Sequence, residues 1–299
     1  MIIQTDNLWK KYGRLDALEG LSIAVPEGST FALIGANGAG KSTTIKTLMN
    51  IIAPSRGGAT VLGVDSRRLS PVQMAQIGYV SENQEMPGRV SVGEYIAYLR
   101  PFYPTWDKDL EAEILAQLGL PQERKIKDLS HGMRMKMALA CALPFRPRLL
   151  VLDEPFSGLD PLVRDEFMEN VLRQAGEKLT ILISSHELME LEGVATHVAF
   201  LNKGKLLFQE SMEELTDRLR EVHVTLERSA RPAQMPKAWL DFRLSGNVAS
   251  FVDTAYCKDW LAADVAAAFG AVRAIDAQAI GLRSIFKTLA RATRDGDAA

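Results

Sequence analysis

The chain has 299 residues, enough for more than one hydrophobic core. Charged residues make up 24% and hydrophobic residues 47%, with a net charge of −2, which excludes a disordered chain and a polybasic nucleic-acid or anionic-lipid reader. Two isolated cysteines, Cys141 and Cys257, exclude a zinc framework and a disulfide scaffold; they fit buried thiols in a reducing compartment. Residues 1–6 carry no apolar leader core and no run of about 18 apolar residues occurs, so neither a signal peptide nor a spanning helix is expected.

In chain order, residues 31–34 read as a buried strand and residues 41–52 as the helix after it. Between them stand Gly35, Ala36, Asn37, Gly38, Ala39, Gly40, Lys41, Ser42 and Thr43, which fit Gly-x4-Gly-Lys-Ser/Thr. Glycines let backbone N–H groups curl round phosphate oxygens, Lys41 neutralises terminal phosphates, and Ser42 offers a hydroxyl to Mg²⁺. The helix N-terminus adds its own attraction for an anion. Residues 77–81 form the next apolar run. From 88 to 129 the strand signal disappears, and Ser91 with Glu94 forms a capping box opening a helix towards Pro101.

Residues 149–152 are a third apolar strand, closed by Asp153 and Glu154. A hard carboxylate oxygen emerging there suits Mg²⁺, and the acid one residue on is a candidate general base for an attacking water. Residues 179–184 and 197–201 give two more strands, the first followed by His186. Asn202, Lys203, Gly204 and Lys205 make a tight turn into residues 206–209. Short apolar runs alternating with helical periodicity predict an α/β fold with a mainly parallel sheet. Phosphate loop and acidic strand end together point to a P-loop nucleotide triphosphatase.

A boundary near residue 211 divides a domain over 1–210, with a helical insertion at about 88–135, from a small α+β appendage over 211–299. There strands are expected at 221–227, 247–253 and 271–276, with helices at 258–269 and 282–292. Its twelve Lys/Arg balance twelve Asp/Glu, which fits protein contact or structural support better than nucleic-acid binding. His197 and His223 have no motif around them and read as packing or surface residues.

Leu129 to Met133 (with Ser130, His131 and Gly132), Ser157 to Asp160, and Ser185 with His186 follow the first two motifs in a fixed order. In that order, over residues 2 to about 220, the chain resembles the ATP-binding-cassette ATPases. The resemblance implies an ATP-hydrolysing subunit with ATP and Mg²⁺, in which Lys41 and Glu154 act at the phosphates and the water and His186 holds the geometry. Ser42, Asp153 and Glu82 are implied as metal contacts and Tyr12 as the aromatic that stacks on adenine. Ser130 and Gly132 would meet the γ-phosphate held by a second nucleotide-binding subunit, with Asp160 in the loop that pairs with its dimer mate. His131 and Met133 depart from the family's Leu-Ser-Gly-Gly-Gln. The family's metal- and water-contacting glutamine falls on Glu82 when counted from Ile77, with Gln84 as the alternative.

Tyr95, Tyr98, Phe102, Tyr103 and Trp106 read either as core or as a groove for a membrane subunit. The implied partners are an integral membrane transporter subunit and a second cassette, at the cytoplasmic face of the membrane. Residues 280–289 are similar to the tail of cassettes serving ABC-2-type exporters. A soluble cassette acting on ribosomes or DNA is a weaker reading, because the chain has one cassette and no sustained heptads; a P-loop kinase or GTPase lacks the two later motifs.

Overall fold

The computed structural model describes residues 1–175, 179–186, 191, 193–232, 234–281, 284–285 and 287–288. Contacts divide the chain into two compact units, Met1–Gln209 and Glu210–Ala299.

The first unit opens with β1 (Ile3–Tyr12), β2 (Leu15–Leu21) and the short β3 (Ala24–Val25), then enters β4 (Thr30–Ile34). After β4 come α1 (Lys41–Leu48), β5 (Arg56–Val61), β6 (Val64–Asp65), α2 (Pro71–Met74) and β7 (Ile77–Ser81). A helical stretch holds α3 (Val92–Leu99), α4 (Lys108–Gln117) and α5 (His131–Ala142), and the chain returns through β8 (Leu149–Asp153), α6 (Pro161–Ala175), β9 (Thr180–Ser185), β10 (His197–Asn202) and β11 (Lys205–Ser211).

The central sheet runs β11-β10-β4-β9-β8-β7 and is parallel from β10 to β7. Every residue of β4, β8 and β9 is buried, as expected of strands covered on both faces. Lys203 (φ 47°) and Gly204 (φ 80°) are both left-handed, the geometry that closes a two-residue hairpin between β10 and β11.

A second sheet is not foreseen by the apolar runs: antiparallel β2-β1-β5-β6, with β3 on β1. Its Ile3, Leu8, Leu18 and Leu21 share one core with Phe31 and Leu33 of β4, Ile45 and Leu48 of α1, and Val151 of β8. α1 thus lies in apolar contact with two sheets. It is shorter than expected, because Asn50 turns left-handed (φ 57°) just beyond Met49 and ends the helix at Leu48.

Ser91 and Glu94 form the expected capping box of α3. The Arg100 guanidinium then grips buried Glu111 of α4 with two hydrogen bonds at 2.7 and 2.6 Å, and Trp106 donates to the same carboxylate. Burial pushes the Glu111 carboxyl up, but these donors outweigh it and hold the group below its ordinary value.

The second unit begins with α7 (Met212–Arg218) and forms an antiparallel sheet β13-β14-β12-β15 from β12 (Arg220–Leu226), β13 (Trp239–Ser245), β14 (Val248–Asp253) and β15 (Val272–Ala279). α8 (Lys258–Phe269) sends Leu261, Val265 and Ala268 into the same core as Trp239 and Phe251, whose rings stack at 3.9 Å. β13 is an addition to the expected strands. The helix expected at 282–292 lies largely outside the described residues. Cys141 is buried, its thiol pushed up to about 12 by desolvation, but Cys257 is exposed at the N-cap of α8, correcting the expectation that both are buried.

Candidate active site

Parallel register sets the site. Ser81 stands opposite Asp153, Asp153 opposite Ser184, and Ile34 opposite Ser185, so four adjacent strands end level with one another. The residues just beyond these ends are Glu82, Glu154, His186 and the phosphate loop from Gly35. A crevice outside the carboxyl ends of parallel strands is where open α/β sheets bind ligands.

The loop that follows β4 depends on glycine at two points. A Cβ on Gly35 would lie 2.4 Å from the Leu201 carbonyl oxygen, and Gly40 takes φ 107° with the Ala17 carbonyl oxygen 2.8 Å from where a Cβ would sit. Gly40 is the N-cap of α1, so the open end of that helix faces the loop. Lys41 is buried at 5% exposure, and its Nζ donates to the Gly35 carbonyl at 2.6 Å.

The Lys41 Nζ also pairs with Glu154 Oε1 at 2.9 Å, while Glu154 Oε2 accepts from His186 Nδ1 at 2.8 Å. A carboxylate only accepts, so Nδ1 carries the proton in this contact. Burial raises the Glu154 pKa, but the bonds from His186 and Lys41 outweigh it and leave the carboxyl below its ordinary value. Asp153 behaves oppositely: burial pushes its carboxyl up, only partly opposed by donors from Ser184 and Ser42. Two neighbouring acids are thus held at different proton affinities.

Ser42 Oγ donates to Asp153 Oδ1 at 3.0 Å, which brings the loop hydroxyl and the strand carboxylate into one oxygen pair. Ser184 Oγ donates to the same Oδ1 at 2.8 Å and accepts from the Glu154 backbone N–H at 2.9 Å. Sequence reasoning missed Ser184. Its signal is a polar residue following the apolar run 181–183, in the strand beside the one that carries Asp153.

A cavity of about 950 Å³ opens over this group, lined by Tyr12, Asn37, Gly38, Gly40, Lys41, Ser42, Thr43, Glu82, Glu154 and His186 together with Arg14, Ser157 and Lys203. Tyr12 is 47% exposed at its rim, with the Lys10 ammonium 5.1 Å from the ring centroid. Glu82 faces this cavity; Gln84 does not. Gln84 instead lines a second cavity of about 540 Å³ against α5, where its Oε1 is buried without a hydrogen-bond partner.

The remaining expected site residues stand apart. Ser130 caps α5 by accepting from Met133 N–H, and Asp160 caps α6 by accepting from Leu162 and Val163 N–H. Neither they nor Gly132 line the cavity over Lys41. The aromatic cluster divides: Tyr103 stacks on Phe145 at 4.0 Å and Trp106 bonds Glu111, whereas Tyr98 and Phe102 are 64% and 60% exposed.

A family model described as ABC transporter matches residues 18–157. An uncharacterised ABC transporter ATP-binding protein of Synechocystis is 34% identical over 68% of this chain and 58% of its own length. The bacitracin transport ATP-binding protein BcrA of Bacillus licheniformis is 33% identical over 73% of this chain and 72% of its own. The chain belongs to the ABC transporter family. A solved ATP-binding subunit of an ABC transporter superposes with a TM-score of 0.66 at 26% identity, over 73% of this chain and 92% of that one. The P-loop α/β fold and the ATPase class of this cassette follow. The chain spans little more than half of the cyanobacterial relative.

Proposed function

We propose that this cassette hydrolyses ATP at the Lys41–Glu154–His186 cluster and powers an exporter through a separate membrane-spanning subunit. The observation that carries the proposal is the meeting, in one cavity, of Lys41 at 2.9 Å and His186 at 2.8 Å from the same Glu154 carboxylate. The loop amides and Lys41 take the ATP phosphates. Arriving phosphate oxygens compete with Glu154 for Lys41, which frees one carboxylate oxygen to orient and deprotonate water. Bonded to the other oxygen, His186 holds that carboxylate in place, and Tyr12 stacks on the base at the rim.

Ser42 and Asp153, with Glu82 beside them, would hold Mg²⁺: their paired hard oxygens fit it. Bound there, the ion neutralises charge on the transferred phosphoryl group. Ser130 and Gly132 lie off the cavity of their own chain, which supports their serving the γ-phosphate on a second cassette, with Asp160 at the same interface. Among the described residues no helix is long and apolar enough to cross a membrane, so the transport path belongs to a partner. Exposed Tyr98 and Phe102 are the proposed anchors for that partner at the cytoplasmic face. Export is supported by the likeness to a bacitracin transport protein and by the tail over 280–289.

Glu154→Gln tests the reading. It should keep ATP binding, lose turnover and accumulate as an ATP-bound dimer on sizing in Mg²⁺-ATP. Turnover near the parental rate would remove Glu154 from the role of base. Recovery of ribosomes or DNA, rather than an integral membrane protein, from detergent-solubilised host membranes would overturn the transporter partner.

A further inference from the structure

His131 occupies a position where the cassettes this chain resembles carry glycine, and its side chain is engaged. Its Nε2 lies 2.9 Å from the Ser157 carbonyl oxygen. A carbonyl only accepts, so Nε2 must carry the hydrogen. Ser157 belongs to the loop that leaves β8: it lines the nucleotide cavity, and its own N–H returns to the Glu154 carbonyl at 3.3 Å. Glu154 itself takes φ 52° and Gly158 φ 69°, so this loop turns sharply on left-handed residues at both ends. Further along, Lys136 of α5 meets Glu166 of α6, the helix that follows this loop, at 2.6 Å.

We infer that His131 is a positioning residue that latches the first turn of α5 to the loop carrying Glu154 within one chain. A displacement of the α5 N-terminus is then passed through Ser157 to the carboxylate that orients water. Glycine at this position has no side-chain donor to make such a link. The inference rests on the reading of Glu154 as the base, because a latch on an inert loop would leave turnover untouched.

Three variants read it: His131→Phe keeps a ring and removes the donor, His131→Gln offers an amide N–H in its place, and His131→Gly restores the family residue. The expected result is a kcat lowered about three- to tenfold in the Phe and Gly variants, the size of one hydrogen bond, with KM for ATP moved less than about twofold. The Gln variant should recover most of the loss. Amide hydrogen exchange across residues 156–160, measured without nucleotide, should rise in Phe and Gly and return in Gln, and this readout does not depend on what Glu154 does. Equal losses in Phe and Gln, unchanged exchange in Phe, or a shift in KM alone would overturn the latch. Measured alongside, retained turnover in Glu154→Gln would strike the base assignment only.

Discussion

The parallel sheet of the first unit and the antiparallel sheet of the second solve the same packing problem with different consequences. In the first, register brings Ser81, Asp153 and Ser184 into line, so several strands release their next residues into one crevice. In the second, β12 pairs antiparallel with both β14 and β15, so neighbouring strands end at opposite edges and no row of side chains converges. A parallel sheet therefore concentrates chemistry at one edge, while the antiparallel sheet with Trp239 and Phe251 at its core offers packing. Changes in the first unit should be read in turnover and changes in the second in stability alone.

Glu154→Gln should have the largest effect on turnover, a loss of about 10²–10⁴ in kcat, the range of a general base. The same variant has a stability signature. Because the folded pKa of Glu154 is depressed, its contribution is present above its unfolded value near 4.5 and is lost as pH falls through the folded value. The difference in melting temperature between parent and variant should therefore shrink on acidification below pH 4.5, and a difference that grows there would contradict the depressed pKa.

Ser184→Ala comes next. It removes a donor from Asp153 and leaves the Glu154 backbone N–H without its 2.9 Å acceptor, in a fully buried setting. A buried unsatisfied group costs about 1–3 kcal/mol, so both chemical melting and kcat should fall, the latter about tenfold. Loss of stability with kcat intact would make Ser184 a packing residue. Tyr12→Ala should act on binding only, raising KM for ATP about three- to tenfold for a stacking contact of about 0.5–1.5 kcal/mol while sparing kcat.

What the sequence shows of this division follows from physical signal strength. Strands buried on both faces leave continuous apolar runs, so residues 149–152 and 179–184 stand out, and the phosphate loop is marked by glycines that sterics demand at Gly35 and Gly40. The antiparallel sheet is quieter. β1 breaks alternation at left-handed Asn7, within the stretch from Asp6 to Trp9 where its register with β5 shifts. Its register with β2 shifts further on, between Leu8 and Lys11, and β5 begins with Arg56, Gly57 and Gly58, weak strand formers. β13 is interrupted in the same way by Asp241 at φ 51°. Tyr98 and Tyr103 have no local difference that sorts exposed from stacked. The partner that decides is Phe145, far along the chain.

The smallest effect on turnover is expected from Phe251→Ala, although it removes one of the largest fully buried side chains. Phe251 stacks on Trp239 within the core of the second unit, and truncating a buried phenylalanine costs about 3–5 kcal/mol through lost burial and the cavity left behind. That loss should fall on Glu210–Ala299 and appear as an earlier, separate melting step or as faster exchange in β12 and β14. ATP affinity and kcat should stay within about twofold, because among the described residues none that lines the nucleotide cavity lies beyond Lys203. A fall in kcat with the first unit still folded would show that the two sheets are energetically coupled, and the second would then be part of the engine that the first supplies with chemistry.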